Sequence, residues 1–264
     1  FYPYCYRCPF NLECPDCGYR CVSYIDDYLF HKYVPPDEVA MILTEPIQGE
    51  GGYVMAPKGY FRELKKLCDE HGIFLAVDEI QSGIGRTGKW FGIEHFNVVP
   101  DIVCIAKGIA AGLPLGVTAS RADLMDWTPG SHASTFGGNP VACAAAQAVI
   151  SVVKEERLLE NAEKQGSYIM KRLKEMMDDH PMMGDVRGKG LMIGVELVKD
   201  KETKEPARDE TEEVMMRCFR KGVAIVNCGV STIRMMPPLT ITRELVEPAL
   251  EVFEACLGEV EAEA

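Results

Sequence analysis

The sequence has no apolar run near the ~18 residues that a membrane-spanning helix needs, and no charged leader ahead of an apolar core. A transmembrane helix and a secretory leader are therefore not expected, which predicts a cytoplasmic protein with no membrane partner. Basic residues are in deficit: 28 Lys and Arg stand against 40 Asp and Glu, a formal net charge of -12. That balance argues against a polyanionic partner such as nucleic acid. The acid-rich end, residues 259–264, is most simply a solvated tail. No internal repeat is evident, and the first residue is Phe1 rather than Met. A chain that opens on the dense Phe1-Tyr2-Pro3-Tyr4-Cys5-Tyr6 is expected to be part of a longer one.

What is present is ordinary globular composition, 264 residues at 47% hydrophobic and 26% charged, enough for one large domain or two smaller ones. The eleven cysteines fall into two groups. Cys68, Cys104, Cys143, Cys218, Cys228 and Cys256 lie among apolar neighbours and behave as small hydrophobes, a pattern suited to a reducing compartment. Cys5, Cys8, Cys14, Cys17 and Cys21 form a CxxC, a five-residue gap, a second CxxC and one further cysteine. Two such pairs can supply four thiolates to zinc, although structural sites usually separate their knuckles more widely. A surface loop of reduced or disulfide-linked thiols is the other reading, and no residue is assigned as a metal ligand.

From residue 39 the chain alternates strand and helix patterns. The apolar stretch 39–43 ends at Glu45-Pro46, where proline stops a ladder, and Gly49, Gly51 and Gly52 make the following loop. Pro57 opens a helix with Phe61, Leu64, Leu67 and Cys68 on one face, and Gly72 stops it. Strand 73–77 follows, which completes a parallel crossover unit. A second apolar strand covers 102–106. Helices are expected over 141–155, 158–177, 211–220 and 244–256, with strands at 191–197, 223–226 and 232–235. The expected architecture is α/β: a Cys-rich segment 1–38, a mostly parallel sheet with crossover helices over 39–155, and a smaller α+β domain over 156–264.

Two polar residues stand at the ends of neighbouring apolar runs, Asp78 after 73–77 and Lys107 after 102–106. Open α/β sheets bind ligands at such strand ends. A lysine there is a candidate Schiff-base former, and a carboxylate is a candidate partner for a pyridinium nitrogen. Together they point to pyridoxal 5'-phosphate. The plain alternatives are a solvated lysine and a strand-end or capping carboxylate.

Four segments carry a resemblance: Glu45-Pro46-Ile47-Gln48-Gly49-Glu50-Gly51-Gly52, Asp78-Glu79-Ile80-Gln81-Ser82-Gly83-Ile84-Gly85-Arg86-Thr87-Gly88, Ala106-Lys107-Gly108, and Ser134-Thr135-Phe136-Gly137-Gly138-Asn139-Pro140. In this order and spacing they resemble the class III, or ornithine/4-aminobutyrate type, aminotransferases of fold type I, in an archaeal-like form. The resemblance spans nearly the whole chain from residue 39. It implies that Lys107 bonds the cofactor and shuttles a proton, which requires an amine that can be neutral near pH 7. It implies that Asp78 keeps the pyridine nitrogen protonated, that Gln81 lies beside the cofactor's phenolic oxygen, and that Thr135 reaches the phosphate of a neighbouring subunit, hence a homodimer. Arg234, in Thr232-Ile233-Arg234-Met235-Met236-Pro237-Pro238, resembles the arginine that clamps the α-carboxylate of glutamate or 2-oxoglutarate by a two-point fork. Glu50 matches the residue that pairs with that arginine when the other substrate has no α-carboxylate. The plain alternatives are a turn hydroxyl for Thr135 and a solvated loop carboxylate for Glu50.

The activity so implied is transfer of an amino group from an ω-amino acid or amine of the 4-aminobutyrate, ornithine or acetylornithine class to 2-oxoglutarate. An amino-acid racemase of the same fold is the nearest alternative, and an inactive fragment or a metal-holding module is the alternative of a different class. Relatives carry an N-terminal half before the region of Phe1, with a phosphate-cradling turn at a helix start and an aromatic residue stacked on the ring. Those parts are expected to lie outside this sequence.

Overall fold

The computed structural model describes all 264 residues, and the chain divides into two units. The first comprises Phe1–Pro46, Ala56–Ile84 and Lys89–Glu156, and the second Ile47–Met55, Gly85–Gly88 and Arg157–Ala264. The stretches 47–55 and 85–88, expected within the sheet domain, thus belong with the second unit.

The first unit contains α1 (Arg20–Tyr24), β1 (Met41–Thr44), α2 (Tyr60–His71), β2 (Phe74–Asp78), β3 (Ile102–Ile105), β4 (Val117–Ser120) and α3 (Pro140–Glu155). Its sheet runs in the order β1-β2-β3-β4. The first three strands are parallel, and β4 is antiparallel to β3. Helix α2 forms where its pattern predicts: Tyr60, Phe61, Leu64, Leu67 and Cys68 are buried on one stripe, the i, i+3, i+4, i+7 spacing of an amphipathic helix. Gly72 ends it at φ 68°, returning its N–H to Asp69 and Cys68, because glycine adopts the left-handed conformation without a Cβ clash. Leu75, Ala76 and Val77 are buried in the inner strand β2, as a strand covered on both faces requires. At the start of α3 the Asn139 side chain accepts the Val141 and Ala142 N–H groups, an N-cap followed by proline at the first helical position. Strand β4 was not expected: Val117-Thr118-Ala119-Ser120 is mostly exposed, so it carries neither an apolar run nor a clean alternation.

The second unit contains α4 (Leu158–Asp179), β5 (Met183–Lys189), β6 (Met192–Leu197), α5 (Arg208–Arg220), β7 (Val226–Cys228), β8 (Thr232–Met235) and α6 (Arg243–Glu261). Its sheet is antiparallel in the order β5-β6-β8-β7. Leu173 and Met176 of α4, Ile193, Val195 and Leu197 of β6, Val214 and Cys218 of α5, and Leu250, Phe253 and Leu257 of α6 form one buried cluster. A fully buried aliphatic or aromatic side chain contributes about 1.5–3 kcal/mol, so this cluster is the unit's main source of cohesion. Strand β5 was not expected, because only Met183 and Val186 in Met183-Gly184-Asp185-Val186-Arg187-Gly188-Lys189 are buried. The strand expected at 223–226 lies instead at Val226–Cys228, and the closing helix runs on to Glu261. No helix is long and apolar enough to cross a membrane.

Candidate functional site

In the first unit the register places Asp78, the last residue of β2, opposite Cys104 of β3. Lys107 comes just beyond the end of β3, so both residues stand at the same end of two parallel neighbours. Asp78 Oδ1 accepts the Ile80 N–H at 2.9 Å, which fixes the carboxylate at the start of the loop. Gln81, half-buried, follows in that loop. Lys107 adopts φ 48°, a left-handed conformation that costs a residue with a side chain roughly 1–3 kcal/mol and persists where surrounding structure demands it. Its side chain is exposed, and no hydrogen bond or ion pair engages the amine. The strain is stored at the residue that the strand pattern singled out. Thr135 lies in an exposed stretch shortly before α3, and no bond ties it to Asp78, Gln81 or Lys107.

The loop from β2 has a support that the sequence motifs did not show. Glu79, fully buried, receives Ser82 Oγ at 2.5 Å, Gly92 N at 2.8 Å and Ile93 N at 2.8 Å. Burial pushes its carboxyl above the usual range, while Ser82 and the two amides pull it back. Two of the three donors lie thirteen and fourteen residues away, so only the tertiary structure identifies the role. Glu79 N donates to Cys104 O at 2.9 Å, which joins the loop to β3 at the level of Asp78.

In the second unit Arg234 of β8 and Glu50 meet: Nη1 donates to Oε1 at 2.6 Å. The arginine side chain is 19% exposed and the glutamate 69%, so a half-buried cation is matched by a carboxylate that water can reach. Burial acts to lower the Arg234 pKa, but the hydrogen bond and charge of Glu50 outweigh it, and the net shift is upward. Arg234 Nε is buried with no partner. The guanidinium therefore keeps donor capacity for a second carboxylate oxygen. An arginine with one removable carboxylate and spare donors can exchange that carboxylate for one carried by a substrate.

All eleven cysteines are unbridged. Cys5, Cys8, Cys14, Cys17 and Cys21 line one small cavity with Tyr19 and Pro57. Burial, and then the neighbouring Cys14, Cys21 and Cys17, push the Cys5 thiol up to about 11, and burial likewise raises Cys14 and Cys21. No three of these sulfurs converge as a metal ion would require.

The class III aminotransferase family model matches residues 2–257. The leucine/methionine racemase of Thermococcus litoralis is 51% identical over 261 residues, 98% of this chain and 59% of its own length. The acetylornithine aminotransferase of Caldanaerobacter subterraneus is 41% identical over 243 residues, 92% of this chain and 59% of its own. The crystal structure of an amine transaminase from an uncultivated Pseudomonas species, in its pyridoxal-phosphate-bound form, superposes with a TM-score of 0.91 at 35% identity, covering 98% of this chain and 61% of that one. The chain thus spans about three-fifths of the length of these curated relatives.

Proposed function

This chain belongs to the class III aminotransferases, a fold type I family that depends on pyridoxal phosphate, and from that premise we propose that the protein transfers an amino group from an ω-amino acid or amine to 2-oxoglutarate. The observation that carries the proposal is the Arg234–Glu50 pair at 2.6 Å. A transaminase must accept two substrates in turn at one site, here a keto diacid with an α-carboxylate and a donor whose reacting amine bears none. Arg234 serves the first by forking onto its α-carboxylate. Glu50 serves the second by occupying Arg234, so that the half-buried cation keeps a partner whose loss would leave it partly desolvated and unpaired.

The residues at the end of β2 and β3 fit the family's cofactor: Asp78 is a fixed carboxylate, and Lys107 an amine with no competing partner. Bound pyridoxal phosphate supplies a sink for the electron pair left when the substrate's α proton departs. Lys107 would hold the cofactor through its amine, and the same Nζ would carry the substrate's α proton. Asp78 would accept the pyridine N–H and hold that proton in place. Gln81 would donate to the phenolic oxygen. Thr135 would donate to the phosphate held by a second copy of the chain, which makes a homodimer part of the proposal. The proposed donor is of the ornithine, acetylornithine or 4-aminobutyrate class, and the acetylornithine aminotransferase relative supports the second of these.

A second reading, racemisation of an amino acid, is favoured by the 51% identity to a leucine/methionine racemase. Both reactions need Lys107 and Asp78, and they differ in whether a keto acid is consumed. With the full-length protein, donor plus 2-oxoglutarate should yield stoichiometric glutamate, and Lys107→Ala should lower the rate by ~10²–10⁴-fold or more. Loss of optical rotation from an L-amino acid with no keto acid present, and no glutamate formed, would assign the racemase instead.

A further inference from the structure

The Glu50 loop lies across the antiparallel sheet of the second unit, and the register says what grips it. Arg187 of β5 pairs with Gly194 of β6, and Gly194 pairs in turn with Arg234 of β8. Residues directly opposite in a ladder share a face, so the two arginines stand on one face with only a glycine between them. A Cβ on Gly194 would lie 2.9 Å from Tyr53 Cβ and 3.4 Å from Gly52 O. The loop therefore sits down on the sheet over Gly194, with Arg234 on one side and Arg187 on the other.

Arg187 bonds both the loop that carries Glu50 and the strand that carries Arg234. Its Nε and Nη2 donate to Gly52 O at 3.1 and 2.5 Å, two residues along from Glu50. Nη2 also donates to Thr232 Oγ1 at 3.1 Å, two residues before Arg234 on the same strand and, by the two-residue repeat of a strand, on the same face. The head of Arg187 is held in turn by Asp185 at 2.8 Å and Glu196 at 2.7 Å, and its side chain is only 10% exposed. Gly52 has φ 120°, a backbone conformation that glycine alone adopts readily, so the carbonyl is aimed by the backbone as well as held by the cation. From the other side Gly229 N donates to Glu50 O at 2.8 Å.

We propose that Arg187 is a positioning residue for the Glu50–Arg234 pair: by gripping the Gly52 carbonyl and the Thr232 hydroxyl together, it fixes the reach of Glu50 toward Arg234 and so sets the competition between the protein's own carboxylate and that of a substrate. The inference rests on the transaminase reading for its consequence and on the second unit alone for its geometry. A loop freed from Arg187 presents Glu50 to Arg234 at a lower effective concentration. Diacid substrates then meet less competition, while donors without a carboxylate lose the counter-ion that made their binding tolerable. The two substrate classes should move in opposite directions, which general damage to the fold would not produce.

The test uses the full-length enzyme and measures each half-reaction separately, with glutamate as the diacid and a simple primary ω-amine as the other donor. Arg187→Met should raise the ratio of kcat/KM for glutamate over that for the amine by about tenfold or more, the scale of one charge-assisted hydrogen bond lost. Arg187→Lys and Thr232→Val, milder changes, should shift the ratio the same way by less. Glu50→Gln should reproduce the shift, and adding Arg187→Met to it should change the ratio no further. Equal falls for both substrates, or multiplied effects in the double variant, would overturn the proposal. A readout independent of turnover is amide exchange: Gly52 and Tyr53 donate their N–H to Gly49 O at 3.2 Å each, and both should exchange about tenfold faster in Arg187→Met. Unchanged exchange would sink the positioning role. If the parent enzyme handles neither substrate, the transaminase reading fails, while the exchange measurement still decides the role of Arg187.

Discussion

Asp78 and Glu79 are adjacent carboxylates with opposite fates, and the difference shows what single residues contribute. Asp78 ends a strand and is half-buried, facing the loop with one oxygen bonded. Glu79 is fully buried and accepts from three donors, Ser82, Gly92 and Ile93. Glu79→Gln retains the shape but turns an amide group toward an N–H or O–H that needs an acceptor. Each buried donor left unpaired costs about 1–3 kcal/mol, so urea unfolding should show a loss of at least that size; a change under about 0.5 kcal/mol would contradict the assignment. The strand-end positions of Asp78 and Lys107 and the pairing of Glu50 with Arg234 were legible in the sequence because each residue lies beside an apolar run or in a compact motif. Glu79 and Arg187 were not, since their partners lie far along the chain: Arg187 and Gly52 are 135 residues apart.

At the scale of elements, legibility followed apolar pattern. Helix α2 and strands β2 and β3 had clear runs and stops. Strands β4 and β5 did not, because one is exposed and the other carries Gly184, Asp185, Arg187 and Gly188 among its seven residues. Their strand character comes from neighbours, β3 and β6, and not from their own composition. The docking of α6 on α5 gives an element-scale prediction. Hydrogen bonds from Lys221 to Glu259 and from Arg217 to Glu263 hold both carboxyls below their ordinary value of 4.5. A depressed folded-state pKa stabilises the fold above the unfolded value and loses that contribution as pH falls through the folded value. Protection of the amides near the end of α6, taken relative to their intrinsic exchange rate at each pH, should therefore fall as the pH drops below 4.5, and Arg217→Met should weaken that dependence. These groups are exposed, so 1 M salt should also weaken it; a pH dependence indifferent to both changes would refute the ion-pair account.

For the whole molecule, the α/β class, the family and its cofactor were legible from four separated motifs, and the family model and solved relatives bear them out. The composition of the two units was less so. Residues 47–55 and 85–88 pack with the second unit although the chain visits them between elements of the first, and no local pattern marks such an excursion. It is that excursion which brings Glu50 to Arg234. On the proposed roles of Lys107 and Asp78, identity to both racemases and aminotransferases is chemically consistent, since proton transfer by one lysine beside one carboxylate serves either outcome. The measurement that tests the account most directly is therefore at that lysine. Full-length protein incubated with pyridoxal phosphate, reduced with borohydride and digested should carry the pyridoxyl mass on the peptide containing Lys107 and on no other. A label on a different lysine, or one that persists unchanged in Lys107→Ala, would contradict it.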